Sequence, residues 1–313
     1  MSKSVWIAGV IFIFAIGGVF YSLRGSSGSS DGRTASVTSV VIKGSDTEVQ
    51  LVSDLAEAFH AQHADADISV TGGGSGAGIA AILNKEIDIA NSSRPMKDEE
   101  WKTAQDTGLE VQEFVVARDG LSAIIHPDNS IKTLTMEQLG KIYRGEIQDW
   151  KDVGGQAGKI VLYGRQSTSG TYNFFRDTVL KADYAKTMRE MEGNQAIVDA
   201  VRNDKVGIGY VGVGYVKDAG SVRDDIKVLT IAKDSKSVAI SPLDKESVMS
   251  GKYPIFRPIY QYLKEMPTKD SVVSQFLQFE MSKEGQALIE KSGFYPLTAE
   301  DMTKNKDLVA SFK

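Results

Sequence analysis

The chain has 313 residues, 42% of them hydrophobic and 25% charged, a balance that supports one large or two medium-sized globular domains and excludes a predominantly disordered chain. The formal charge is −5. Residues 1–30 contain Lys3 and Arg24 but no acid, so the rest has 34 basic and 41 acidic residues, a charge of −7, and nucleic acid is not expected as a partner. The absence of cysteine excludes a disulfide framework, a thiolate metal site, a cysteine nucleophile and a lipid-modified cysteine anchor.

Val5 to Leu23 form an uncharged apolar run of about 19 residues, roughly 28 Å as a helix, close to the hydrocarbon thickness of a bilayer. Residues 1–23 are expected to be an uncleaved membrane anchor or a cleaved signal peptide, and both place the body outside the cytoplasm, in the periplasm or on the extracytoplasmic face. The Ser/Gly-rich residues 24–36 read as a flexible linker. From Val37 onward, short apolar runs alternate with helical periodicity, the pattern of βα units around a parallel sheet. VTSVVI (37–42) reads as a strand, and Val49, Leu51, Val52, Leu55, Ala56 and Phe59 place an amphipathic helix within 47–63. ISVTG (68–72) is a second strand, Ala77 to Leu83 a second helix and IDIANSS (87–93) a third strand. Pro95 with KDEE opens another helix.

LSAIIH (121–126), after the turn signal Arg118-Asp119-Gly120, reads as the first crossing into a second domain. TMEQLGKIYRG (135–145) is a helix closed by Gly145, KIVLYGR (159–165) a strand, TYNFFRDTVL a helix, QAIVDAVRND (195–204) a helix and VGIGYVGVGYV (206–216) a Gly-interrupted strand and turn. A return near 221–231 is expected, giving one lobe of residues 37–120 plus 225–313 and a second of 121–224. Val272, Val273, Phe276, Leu277, Phe279 and Leu288 predict a long packing helix over 271–290.

Three strand-to-helix junctions share one composition: GSDT (44–47), GGGSGAG (72–78) and RQSTSGT (165–171). At such junctions small residues turn the backbone tightly, and the first N–H groups of the helix have no internal partner, an arrangement suited to an anion. Ser75, Thr47, Ser169 and Thr171 add hydroxyl donors, and the guanidinium of Arg165 adds a full charge and a fork of donors that matches a tetrahedral oxyanion. A hydrogen bond to a charged group contributes roughly 1.5–3 kcal/mol, and micromolar binding needs about 8 kcal/mol. Several convergent donors therefore suffice, and neither a cofactor nor a metal is expected.

The order GSDT, GGGSGAGIAAI, DIANSSRPM, LTMEQLGKIYRGEIQDW, RQSTSGTYNFF and VGIGYVGVGYV resembles the phosphate-binding subunit of the bacterial high-affinity phosphate ABC importer, over about residues 40 to 300. The resemblance implies an α/β, two-lobed periplasmic-binding-protein fold, with two α/β domains joined by two crossing strands and closing on the anion. It implies inorganic phosphate as ligand and the importer's membrane permease subunits as partners. By motif, Thr47 with the N–H of Glu48 holds one side of the phosphate and Ser75 another, while Arg165, Ser169, Gly170 and Thr171 close on it from the second lobe. The sequence departs from the family pattern at Ser93, where many members carry an aspartate that accepts a proton from hydrogen phosphate, and at Ser167, where an aspartate pairs with the arginine. Asp46 is either a replacement acceptor or a helix cap. Arg94 is either a second anion clamp or an ion-pair residue. A monomer is expected.

Gly207-Ile-Gly-Tyr-Val-Gly212 matches a dinucleotide fingerprint without the helix and acidic residue that give it meaning. His60, His63 and His126 are too scattered for a catalytic metal site. Two other functions remain open at this level: an anchored sensor of the same ligand, and a phosphatase with Ser75 or Ser169 as nucleophile, for which only Asp46 is near enough in sequence to serve as base.

Overall fold

The structure is a computed structural model describing residues 37–218 and 221–313. The expected anchor or signal (1–23) and linker (24–36) lie outside these residues. Among the described residues no helix is long and apolar enough to cross a membrane.

The chain begins with β1 (Thr38–Gly44), α1 (Val49–His60), β2 (Ala66–Thr71), α2 (Ser75–Leu83), β3 (Ile89–Ser92), α3 (Asp98–Asp106) and β4 (Gln112–Gly120). It continues through β5 (Ser122–Ile125), β6 (Thr133–Thr135), α4 (Met136–Tyr143), β7 (Val161–Arg165), α5 (Gly170–Phe175), β8 (Arg189–Met191), α6 (Gly193–Arg202) and β9 (Gly207–Val211). Short strands β10 (Lys217–Asp218), β11 (Ser221–Val222), β12 (Lys227–Val228) and β13 (Thr230–Ala232) lead to α7 (Lys245–Met249), the long strand β14 (Phe256–Leu263), and helices α8 (Val272–Met281), α9 (Lys283–Lys291) and α10 (Ala299–Ala310).

Two five-stranded sheets result, with strand orders β2-β1-β3-β14-β4 and β12-β5-β9-β7-β8. In the first, β1 runs parallel to β2 and β3, and β14 runs antiparallel to β3 and β4. Alternation along the strands divides this lobe into two cores. Val40, Ile42 and Ile89 pack with Leu51, Leu55 and Phe59 of α1 and with Phe276 and Leu277 of α8. Ala90 packs on the other face with Ile79 and Ile82 of α2 and Tyr262 of β14. The second lobe has one core, in which Ile124, Ile208 and Tyr210 meet Tyr143, Phe175, Ile197 and Val201.

Most predicted βα units are present within one or two residues, but three expectations need correction. Arg118-Asp119-Gly120 is the end of β4 rather than a turn, and the chain passes almost directly from β4 into β5. The return near 225 is not made there: Lys227 and Val228 pair with Ile125 and Ile124, Leu229, Ile231, Val248, Tyr253 and Ile255 join the second core, and the first sheet is rejoined only at Phe256. β14 was hidden by Pro258, which is tolerated because pairing with β3 starts only at Tyr260, after a register shift at Ile259/Tyr260. The long helix over 271–290 is two helices, broken at Ser282, whose backbone is extended and whose Oγ accepts from the Gly285 N–H to start α9.

Candidate functional site

The three small-residue turns lie at the C-terminal ends of β1, β2 and β7, each leading into the start of a helix. They meet each other across the two lobes. Gly74, at φ +92°, brings the second turn so close to the third that a Cβ would stand 2.7 Å from the Thr168 carbonyl oxygen. The Gly76 N–H donates to that same carbonyl at 3.0 Å.

Around this contact lies a cluster of buried hydroxyls. Thr47 Oγ1 and Thr171 Oγ1 are 2.8 Å apart, bridging the head of α1 to the second lobe. Ser45 Oγ donates to Ser93 Oγ at 2.9 Å, and Ser93 Oγ lies 3.3 Å from both Ser75 Oγ and Thr171 Oγ1. Ser75 Oγ also accepts from the Ser93 N–H at 3.1 Å. Gly170 is wedged against the same group, since a Cβ there would lie 2.3 Å from Ser75 Oγ. Of the predicted residues, Thr47, Ser75, Ser93, Gly170 and Thr171 are thus brought together. Ser169 is adjacent and caps α5, its Oγ accepting from the Tyr172 N–H at 3.3 Å. The Glu48 N–H is directed to the Ser45 carbonyl at 3.3 Å.

Arg165 is 1% exposed, and its Nη2 pairs with Asp46 Oδ2. Its Nε and Nη1 have no hydrogen-bond partner among the described residues. The other Asp46 oxygen accepts from the Gly73 N–H at 2.9 Å, and the Asp46 carbonyl accepts from Tyr215 Oη at 2.8 Å. Burial pushes the Tyr215 phenol up to about 12, so it remains a donor. Asp46 is therefore neither a free acceptor nor the cap of α1. It is the cross-lobe partner of Arg165, filling the role that Ser167 cannot. The Arg94 expectation of an anion clamp is also corrected. Its guanidinium is bidentate to Glu100, at 2.7 and 2.6 Å, and the same carboxylate accepts from the Lys97 N–H at the start of α3. Arg94 Nε has no partner among the described residues, but both Nη groups are committed to Glu100 within its own lobe.

Sequence reasoning missed Asp119, Asn194 and Arg257, all at most 1% exposed. Arg257 donates from Nη2 to Thr171 Oγ1 at 3.0 Å and from Nη1 to the Ser93 carbonyl at 2.8 Å, while Asp119 Oδ2 receives both Nε and Nη2. Asn194 joins Thr47 Oγ1, at 3.5 Å, to the Gly212 N–H, at 3.2 Å. The available signal was a charged residue inside an apolar strand, Arg257 between Phe256 and Pro258-Ile259. The carboxyl of Glu48 is fully buried and pushed well above its usual value by that burial, with the charge of Arg257 opposing the rise. The histidines lie elsewhere: His60 Nδ1 contacts the Ala66 carbonyl at 2.7 Å, and His63 stacks on Phe59.

Comparison with known proteins agrees with this architecture. Residues 29–284 match the PBP superfamily domain. The phosphate-binding protein PstS of Staphylococcus epidermidis strain RP62A is 35% identical over 271 residues, 85% of this chain and 81% of that protein. Among solved structures, a Clostridium perfringens protein assigned as a phosphate ABC transporter substrate-binding protein and solved with bound phosphate superposes with a TM-score of 0.74 at 28% identity, covering 83% of this chain and all of that one. An ABC-type phosphate transport receptor from Vibrio cholerae gives a TM-score of 0.65 at 26% identity, covering 82% of this chain and all of that one. The shared fold, the match across most of the chain and the identity to PstS together assign this chain to the PBP superfamily and, within it, to the PstS phosphate-binding protein family.

Proposed function

We propose that this chain binds inorganic phosphate between its two lobes and delivers it to the permease subunits of an ABC-type importer on the extracytoplasmic side. The observation that carries the reading is the meeting of three turns from two separate sheets in one hydroxyl cluster, beside an arginine with two buried, unpartnered donors. Thr47, the Glu48 N–H, Ser75, Ser93, Arg165, Ser169, Gly170 and Thr171 form the cradle, and Asp46 keeps the fork of Arg165 in place. Residues 37–120 and 256–313 act as one lobe and 121–255 as the other, with the crossings at 120–121 and 255–256 as hinges. A tether formed by residues 1–23 and 24–36 keeps a monomeric body near its permease.

A binding role fits the site better than a hydrolytic one. Ser75 Oγ has hydroxyl and N–H neighbours only, Ser169 Oγ is used as a cap, and Asp46 is committed to Arg165. Among the described residues, no general base is hydrogen-bonded to either serine hydroxyl. The site also presents hydroxyls where a carboxylate would repel a ligand lacking a proton, so sulfate is expected to compete measurably with phosphate.

Calorimetric titration with phosphate, sulfate, arsenate and molybdate tests the reading. Arg165→Ala should weaken phosphate binding by at least about thirtyfold, the loss of roughly 2 kcal/mol expected for a charged hydrogen-bonding group. Phosphate affinity equal in the variant and the wild type would overturn the assignment of the cradle.

A further inference from the structure

Arg257 on β14 and Asp119 on β4 are register partners at the point where both crossing segments leave the first sheet. They are 1% and 0% exposed, and the guanidinium reaches Asp119 Oδ2 through Nε at 3.0 Å and Nη2 at 2.8 Å. Neither residue ends its contacts there. Asp119 Oδ1 accepts from the Val213 N–H of the second lobe at 2.8 Å. Arg257 reaches the Ser93 carbonyl at the end of β3, the Thr171 hydroxyl at the head of α5, and the ring of Phe174 at 5.1 Å. One buried ion pair therefore touches the hinge, both lobes and the hydroxyl cluster.

The polarity of the Thr171 contact is fixed by chemistry. A guanidinium has donors and no acceptor. Thr171 Oγ1 must accept from Arg257, which leaves its own proton for Thr47 Oγ1, Ser93 Oγ or an anion within the cluster. The other charged groups in this neighbourhood are Glu48 at the head of α1, with Glu280 acting on it, the Arg165–Asp46 pair, and Arg94, Lys97 and Asp177, which line a cavity together with Arg257.

We propose that Arg257, fixed by Asp119, is a second cationic determinant of the anion site: a positioning residue that acts through Thr171, making that hydroxyl a donor to the anion and favouring the more highly charged form of the ligand. The inference rests on the oxyanion reading above. It gives the site a charge preference in the place where the family pattern puts a carboxylate and this chain has Ser93. Asp119 offsets the charge of Arg257, but it is the guanidinium that contacts Thr171, so the cluster meets the positive end of the pair, and a dianion gains more from it than a monoanion because the interaction scales with the product of the charges.

The test is titration of the wild type, Arg257→Met, Arg257→Lys and Asp119→Asn/Arg257→Met with inorganic phosphate at about pH 6 and about pH 8, an interval over which a phosphate group passes from mostly monoanionic to mostly dianionic. The same comparison in a Glu48→Gln background removes the other buried acid that feels the charge of Arg257. Arg257→Met should lose about tenfold or more in affinity at the higher pH and distinctly less at the lower, and Arg257→Lys should recover part of the loss. The double variant leaves no buried charge unpaired and should remain folded, with the same pH-dependent loss. Equal losses at both pH values, or wild-type affinity in the folded double variant, would overturn the proposal. A wild-type protein that binds no phosphate at either pH would overturn the oxyanion reading itself, and this one with it.

Discussion

Arg165 brings a full charge to a position 1% exposed, and the sequence places no acid in its own turn to hold it. Asp46 supplies that acid from the other lobe. The same closeness of the lobes makes Gly170 a sensitive position, since a methyl group there would stand 2.3 Å from Ser75 Oγ and 2.9 Å from Ser93 Oγ. Gly170→Ala should therefore leave each lobe folded but weaken phosphate binding by about fivefold to about a hundredfold, as expected when overpacking on the order of 1–3 kcal/mol falls on a contact made only with the lobes together. Calorimetry on the variant checks this, and unchanged affinity would mean that these surfaces do not approach as closely in solution. The Ser/Thr/Gly composition of the three turns was legible because donors at a turn are local chemistry. Arg94 was not legible, because the sequence cannot say whether an arginine faces an anion or, as here, a glutamate six residues away.

Helix α8 places Glu280 at 1% exposure beneath the first sheet, with Oε1 accepting from Gln261 Nε2 at 3.0 Å and Oε2 without a partner. Burial raises this carboxyl well above its usual value of 4.5. The folded protein then holds the proton to higher pH than the unfolded chain, so the residue costs little below about pH 4 and increasingly more as pH rises from there toward the folded value. Glu280→Gln should gain stability on the order of 1 kcal/mol or more at about pH 8 and none at about pH 4, as read by denaturant melts. A gain independent of pH would contradict the account. Helix α10 shows the opposite sign. Burial alone would raise Asp301, but bonds from Arg118 and Thr298 outweigh it and hold the carboxyl below its usual value. Arg118 reaches Asp301 at 2.8 and 2.5 Å, and Asn305 clasps the Val115 backbone of β4 on both sides. Asp301→Ala should cost about 3 kcal/mol by leaving a half-buried guanidinium unpaired. That cost should begin to fade as pH falls below about 4, where the unfolded chain takes up the proton first, and vanish once pH has passed through the lower folded value. The packing helix over 271–290 was predicted from its apolar stripe, yet Ser282 divides it, a serine cap overriding a periodicity that continues past it.

At the scale of the whole molecule, the proposed function makes ligand binding and lobe movement one equilibrium. Only the arrangement with the lobes together places Thr47 beside Thr171 and Asp46 beside Arg165, so an anion that contacts both sides stabilises that arrangement by its differential affinity. Small-angle scattering should show a smaller radius of gyration with saturating phosphate than without it, and an unchanged radius combined with tight binding would sink the hinge account. The proposed hinges at Gly120–Leu121 and Ile255–Phe256 fit that motion, since Leu121 and Ile255 belong to the second lobe's core while Ala117 of β4 and Ile259 of β14 belong to the first lobe's.

The sequence alone determined the local terms: amphipathic stripes, strand-to-helix order, and three turns rich in donors, all set by residues within a few positions of each other. The family resemblance supplied the two-lobed arrangement and the ligand class. Tertiary structure decided which charges face which. Asp46 and Arg165 are 119 positions apart, and Asp119 and Arg257 are 138 apart. Pairing over such separations follows from sheet register and lobe contact, which no local pattern encodes, and it is there that Arg165 and Arg257 acquire their fixed orientations.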